Sequence, residues 1–159
     1  MPYDLMKPQK IQSDIAMESG HILPEIYEHN DLNDMSLFDF GVKPVSMHYY
    51  HKDEKHKIDG KMAVIRSDTG DFMGNHSNKY KLVPHIDLYR KHTIKLLESD
   101  IGKSEVQVID QLWDKGAKTR RTVHFLDHTM KVKDGDEVCL RSDIFNSIDG
   151  AWSFQTFTG

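Results

Sequence analysis

The densest chemistry in the chain is a run of cations beside aromatic rings. Lys115, Lys118, Arg120 and Arg121 lie close together, with Trp113 and Phe125 flanking them and Thr119 and Thr122 interleaved. Proteins that bind single strands combine a cationic groove that follows the phosphates with aromatic platforms on which bases stack. The expectation is therefore that Lys115, Lys118, Arg120 and Arg121 meet phosphates and that Trp113 stacks on a base. Arg90 and Lys91 extend the patch if a helix lies alongside. The competing reading is a solvated hairpin tip with Trp113 in the core.

Other candidate chemistries are weaker. Ten histidines invite a metal, above all His124 and His128. On a strand, residues four apart are separated by about 13 Å, too far to share one ion. His48, His51 and His56 fall at a strand end and a polar turn and read as solvated or hydrogen-bonded. No glycine-rich phosphate loop is present, since Asp68-Thr69-Gly70-Asp71 lacks a second glycine and a lysine. Neither a metal nor a cofactor is expected. Cys139 sits between Val138 and Leu140 and reads as an inert thiol, although Arg141 shares its strand face. Asp68, Asp71, Asp143 and Asp149 lie at or near turns, where Asp is common for its local hydrogen bonds. An enzymatic pocket around Arg66, Asp68 and Asp149 is the least supported reading.

The elements that must position these residues follow from periodicity. Val45–Tyr50 alternates as a strand, a polar interval runs from His51 to Gly60 with Asp59-Gly60 as its turn signal, and Met62–Arg66 returns. Phe72–Gly74 completes a meander. After Pro84, the residues Ile86, Tyr89, Thr93, Ile94 and Leu97 recur at helical steps, with Gly102 as the terminator. Val106–Trp113 and Thr119–Leu126 form a hairpin around Asp114–Lys118. A second hairpin pairs Val138–Asn146 with Ala151–Phe157 through Asp149-Gly150. Strands segregated around one long amphipathic helix predict an α+β fold with an antiparallel sheet, because parallel strands need a helical crossover between each pair.

At 159 residues with 38% hydrophobic side chains, the chain suits one domain. The expected division is an acidic, partly ordered arm over 1–35 and an α+β domain over 36–159. The net charge of −4 is unevenly spread. Residues 1–60 carry 11 acidic and 6 basic side chains, whereas 79–133 carry 12 basic and 7 acidic ones. A polyanion partner is thereby confined to a patch. The single cysteine excludes an internal disulfide, no run of about 18 apolar residues predicts a membrane span, and the N-terminus lacks signal-peptide regions. The expected compartment is the cytoplasm.

Separated segments also carry a resemblance. Val64-Ile65-Arg66-Ser67-Asp68-Thr69-Gly70, then Met73-Gly74, then Tyr80-Lys81-Leu82-Val83, and later Phe145-Asn146-Ser147-Ile148-Asp149-Gly150 resemble the pattern of a phage- and plasmid-borne family described only as domain of unknown function 932. The likeness spans about residues 37–159. Ile148 stands where that pattern often has His, and His85 replaces its usual Asn. Family members continue past this point, so the resemblance implies a shortened version or an N-terminal fragment. It also implies a phage, prophage or plasmid context, the host cytoplasm in the phage case. The strand–helix–hairpin order is similar in outline to Rad52-type annealing proteins, whose oligomeric rings bind single-stranded DNA; this is a fold-level analogy. The expectation is an accessory protein that binds single-stranded DNA in recombination or annealing, as a homo-oligomer and without enzymatic activity. The alternative is a structural or host-interaction protein that oligomerises through its N-terminal arm.

Overall fold

The computed structural model describes residues 23–150, 152 and 155–159. Eight strands and one α-helix are present among them: β1 (Glu25–His29), β2 (Val42–His51), β3 (Glu54–Arg66), β4 (Phe72–Ser77), α1 (His85–Glu98), β5 (Val106–Trp113), β6 (Lys118–Lys131), β7 (Glu137–Ser147) and β8 (Gln155–Thr158). The strands form two antiparallel sheets, ordered β1-β5-β6-β7-β8 and β2-β3-β4. The protein is α+β. No described helix is long and apolar enough to cross a membrane.

Alternation along the large sheet separates two sets of side chains. Val106, Val108, Asp110 and Leu112 of β5 face the same way as Phe125, Val123, Arg121 and Thr119, their register partners on β6. That face is covered by α1 and by the segment around the 3-10 turn Ser36–Phe38. Phe38 stacks on Tyr89 at 4.4 Å, in a cluster with Met35, Ile86 and Ile144. Leu32 packs with Val106, Val108, Val123 and Phe125. The second sheet joins through Phe40, Val64, Met73, Leu112, Ala117 and Ile148. Gly116 permits this junction, because at φ 111° a Cβ there would come within 2.7 Å of the Phe40 ring.

Three local expectations are corrected. The first domain boundary falls too late in the chain, since β1 pairs with β5 and both Leu32 and Met35 are buried. β1 escapes pattern reading because Ile26 and Tyr27 are adjacent on an edge strand, the first half-buried and the second exposed. Residues 1–22 of the expected arm lie outside the described residues, as do Ala151, Ser153 and Phe154 of the last expected strand. The turn between β2 and β3 is Lys52-Asp53, with φ of 52° and 64°, and not Asp59-Gly60. Both values are those of a type I′ hairpin, here built without its usual Asn-Gly or Asp-Gly. Gly60, at φ 75°, instead accommodates a bulge between the pairs Ser46–Met62 and His48–Lys57. Finally, α1 stops at Glu98, where Ser99 turns extended and its Oγ donates to the Leu96 carbonyl at 2.6 Å; Gly102 lies in the following 3-10 turn.

Candidate nucleic-acid interface

The structure separates the residues that the sequence groups as one cationic patch. Arg120 and Arg121 are neighbours on β6 and so project to opposite faces of the sheet. Arg121 points beneath α1, where it is 1% exposed. Its Nε and Nη2 donate to the Asp110 carboxylate at 2.7 and 2.9 Å, and Nη1 donates to the Leu32 carbonyl at 2.9 Å. His29 Nε2 meets the same carboxylate at 2.7 Å. This arginine ties the 29–34 segment to the sheet, and its expected phosphate contact is corrected: burial leaves it no route to a ligand on the surface.

Trp113, Lys118 and Arg120 do share the other face of the sheet, but as paired and covered groups. Trp113 is buried and meets Trp152 edge-on at 5.6 Å. Lys118 bonds Asp114 at 2.8 Å and lies 3.1 Å from Asp149. Burial works against its charge, but these two carboxylates outweigh it and raise the ammonium's pKa. Arg120 reaches Asp143 at 2.7 Å, while Thr122 and Arg141 bond the same carboxylate at 2.7 and 2.8 Å. Burial corrects the stacking role of Trp113 and the phosphate role of Lys118 in the same way, whereas Arg120 is half-buried with its guanidinium engaged by Asp143. Lys115 is exposed in the turn, 3.2 Å from Asp71. Arg90 and Lys91 lie on the outer side of α1, away from the Ile86, Tyr89 and Thr93 face. Among the described residues the β6 cations between them and the turn are paired with carboxylates, and Arg121 is buried, so β6 carries no continuous basic groove.

A different surface brings cations and aromatic rings together. Beyond the bulge, β2 and β3 continue as a two-stranded ribbon four residue pairs long, about 13 Å at the usual rise, closed by the Lys52-Asp53 turn. The register opposes His48 to Lys57 and Tyr50 to Lys55 on one face, and Tyr49 to His56 and His51 to Glu54 on the other. The first face therefore holds two lysines, a histidine and a tyrosine with no acid among them. Tyr50 is 71% exposed, and on the reverse face Tyr49 stacks on His56 at 5.1 Å. Across residues 42–61 five lysines face three acids, a net of +2 with histidines neutral. Sequence reading missed this surface because it placed the turn at Gly60. Alternation continued through His48–Tyr50 into Lys55–Lys57 was the signal that would have found it.

The ribbon's three histidines do not share a face, since His48 lies on the face opposite His51 and His56. Among the described residues no three His, Cys, Asp or Glu side chains form a metal-binding group. Burial raises the Cys139 thiol pKa. The nearest approach to a catalytic constellation is a buried network under α1. There His85 Nε2 donates to the Gly116 carbonyl at 2.7 Å, while Asn146 Nδ2 and Thr119 Oγ1 lie 2.9 and 3.0 Å from Nδ1. Tyr89 and Thr119 hydroxyls meet at 2.7 Å. Burial pushes His85 down to about 4 and raises the Tyr89 phenol. The imidazole is thus a neutral structural link.

The segments that carry the family resemblance also meet. Gly74, at φ 150°, lies where a Cβ would be 2.7 Å from the Asp149 Cα, and His76 Nε2 bonds the Ile148 carbonyl. Comparison of the chain with models of protein families, with curated proteins and with solved structures finds no match.

Proposed function

We propose that the protein binds single-stranded nucleic acid and that the β2–β3 ribbon is the contacting surface. The observation that carries this reading is the pairing of His48 with Lys57 and of Tyr50 with Lys55 on one face of the ribbon, with no acid in either pair. Lysines on one strand follow the phosphates while the opposite Tyr50 offers its ring to a base, a contact worth about 1–3 kcal/mol. Two to four lysine–phosphate contacts give a salt slope of about −1.4 to −2.8 for a single strand. Affinity then falls about 7- to 50-fold between about 50 and 200 mM salt. The cytoplasmic, recombination-associated and homo-oligomeric roles expected from the sequence belong to the same proposal.

Fluorescence anisotropy with a labelled oligothymidylate tests it. Tyr50→Ala is expected to weaken binding by about 5- to 150-fold. Lys55→Glu with Lys57→Glu is expected to abolish binding, while Lys115→Ala leaves it intact. Absence of binding at about 50 mM salt, or wild-type affinity in the ribbon variants, overturns the reading. If light scattering then shows an oligomer that is lost on deleting residues 1–22, the structural or host-interaction alternative replaces it.

A further inference from the structure

A second feature lies where the ribbon joins the body. Ser77 pairs with Lys61 and the Asn78 amide donates to the Gly60 carbonyl at 3.0 Å, so the chain leaves β4 at the ribbon's base. The next residues, Tyr80–Val83, enclose a cavity of about 390 Å³ together with Leu88 of α1, the end of β7 and Trp152. This volume lies within the range of small-molecule sites.

The lining has a definite chemistry. Leu82, Val83, Leu88 and Ile148 make it apolar, and Tyr80 and Trp152 add aromatic surface. Both rings are held in place. Tyr80 stacks on His76 at 4.0 Å with planes 8° apart, and His76 is anchored on the Ile148 carbonyl. The Trp152 amide donates to Ser147 Oγ at 2.8 Å, and that hydroxyl donates to the Trp152 carbonyl at 2.9 Å. Tyr80 is nevertheless 51% exposed. Asn146 also lines the cavity, with its amide fixed by the bond to His85. Among the described residues of the lining Lys81 is the one that carries a charge, and it is exposed. An apolar slot with fixed aromatic rings, a positioned amide and one exposed cation suits a flat heteroaromatic ring that carries an anion.

We infer that this cavity is a nucleotide site, in which the base lies against Tyr80 and Trp152, Asn146 contacts the ring edge and Lys81 meets the phosphate. The nucleotide is either free or one unit of a strand that continues along the ribbon. The site uses none of the ribbon face residues, so it stands or falls separately from the ribbon reading.

Titration of the full chain with deoxyadenosine monophosphate, followed by tryptophan fluorescence and calorimetry, tests the inference. Ribose 5-phosphate serves as the ring-free control and deoxyadenosine as the phosphate-free one. The expected result is saturable binding of the nucleotide, several-fold weaker binding of deoxyadenosine and no binding of ribose 5-phosphate. Tyr80→Ala is expected to lower nucleotide affinity at least tenfold, and Lys81→Ala to remove the preference over deoxyadenosine. Leu88→Trp, which fills the cavity, is expected to abolish binding. Tyr80 and Lys81 are exposed, so their variants report even if the filled variant misfolds. Lys55→Glu with Lys57→Glu is expected to leave mononucleotide binding unchanged. Should only the oligothymidylate bind, and do so tenfold more weakly in Tyr80→Ala, the strand is the source and the site stands. Ribose 5-phosphate binding as tightly as the nucleotide overturns the inference. So does wild-type behaviour of the Tyr80 and Lys81 variants toward both nucleotide and oligonucleotide.

Discussion

Replacing Arg121 by methionine keeps most of the side-chain bulk and removes its charge and donors. Asp110, 0% exposed, would then hold its charge in the core with only His29 as partner. The Leu32 and Asp34 carbonyls would each lose a donor. Breaking a buried pair from one side costs about 3–5 kcal/mol, and each orphaned carbonyl adds up to about 1 kcal/mol. Against a total stability of about 5–15 kcal/mol, Arg121→Met is expected to lose about 4 kcal/mol or more in urea unfolding followed by circular dichroism. Adding Asp110→Asn removes the uncompensated charge, so the double variant is expected to be less destabilised than the two single effects added together, with a coupling of about 2 kcal/mol. The Asp34 carbonyl loses the Arg121 donor and the Leu32 carbonyl keeps only the Thr93 hydroxyl at 3.5 Å, which keeps the double variant below wild type. If Arg121→Met unfolds within about 1 kcal/mol of wild type and loses affinity for oligothymidylate, the arginine is a phosphate contact and its structural role is refuted.

Two further outcomes concern stability, beside the ribbon and cavity tests above. His85 is neutral when folded, with its pKa lowered from 6.5 to about 4, so its contribution is complete above pH 6.5 and is lost as pH falls toward 4. The loss is about 3 kcal/mol over that window, and urea titrations of His85→Gln should lack that part of the slope. Burial lowers His92 and His124 as well, so the wild type keeps losing stability in the same direction. Gly74→Ala brings a methyl group against the Asp149 backbone at an unfavourable φ, and is expected to cost about 1–3 kcal/mol. Gly70→Ala, at φ 75° with open space around it, is expected to cost only about 1 kcal/mol, so urea midpoints should rank the two.

Side-chain period is a local property, and it is what the sequence by itself determined. The alternation of Val106–Trp113 and the helical recurrence of Ile86, Tyr89 and Thr93 specify strands, helix and antiparallel class without reference to anything distant. The same alternation already places Arg120 and Arg121 on opposite faces, which a count of cations ignores. Partner choice is another matter. Arg121 is satisfied by Asp110, eleven residues away, but also by carbonyls at Leu32 and Asp34, which only the docking of the 29–34 segment brings near. β1 likewise becomes a strand because β5, about eighty residues later, offers it an edge. A cation is a surface ligand or a core link according to whether a carboxylate is folded against it, and desolvation then makes the pairing obligatory. The cavity is the extreme case, since Tyr80–Val83, Leu88 and the end of β7 are joined by no local pattern. The sequence therefore decided the helix and the strands other than β1, and tertiary packing decided β1 and which charges still face solvent.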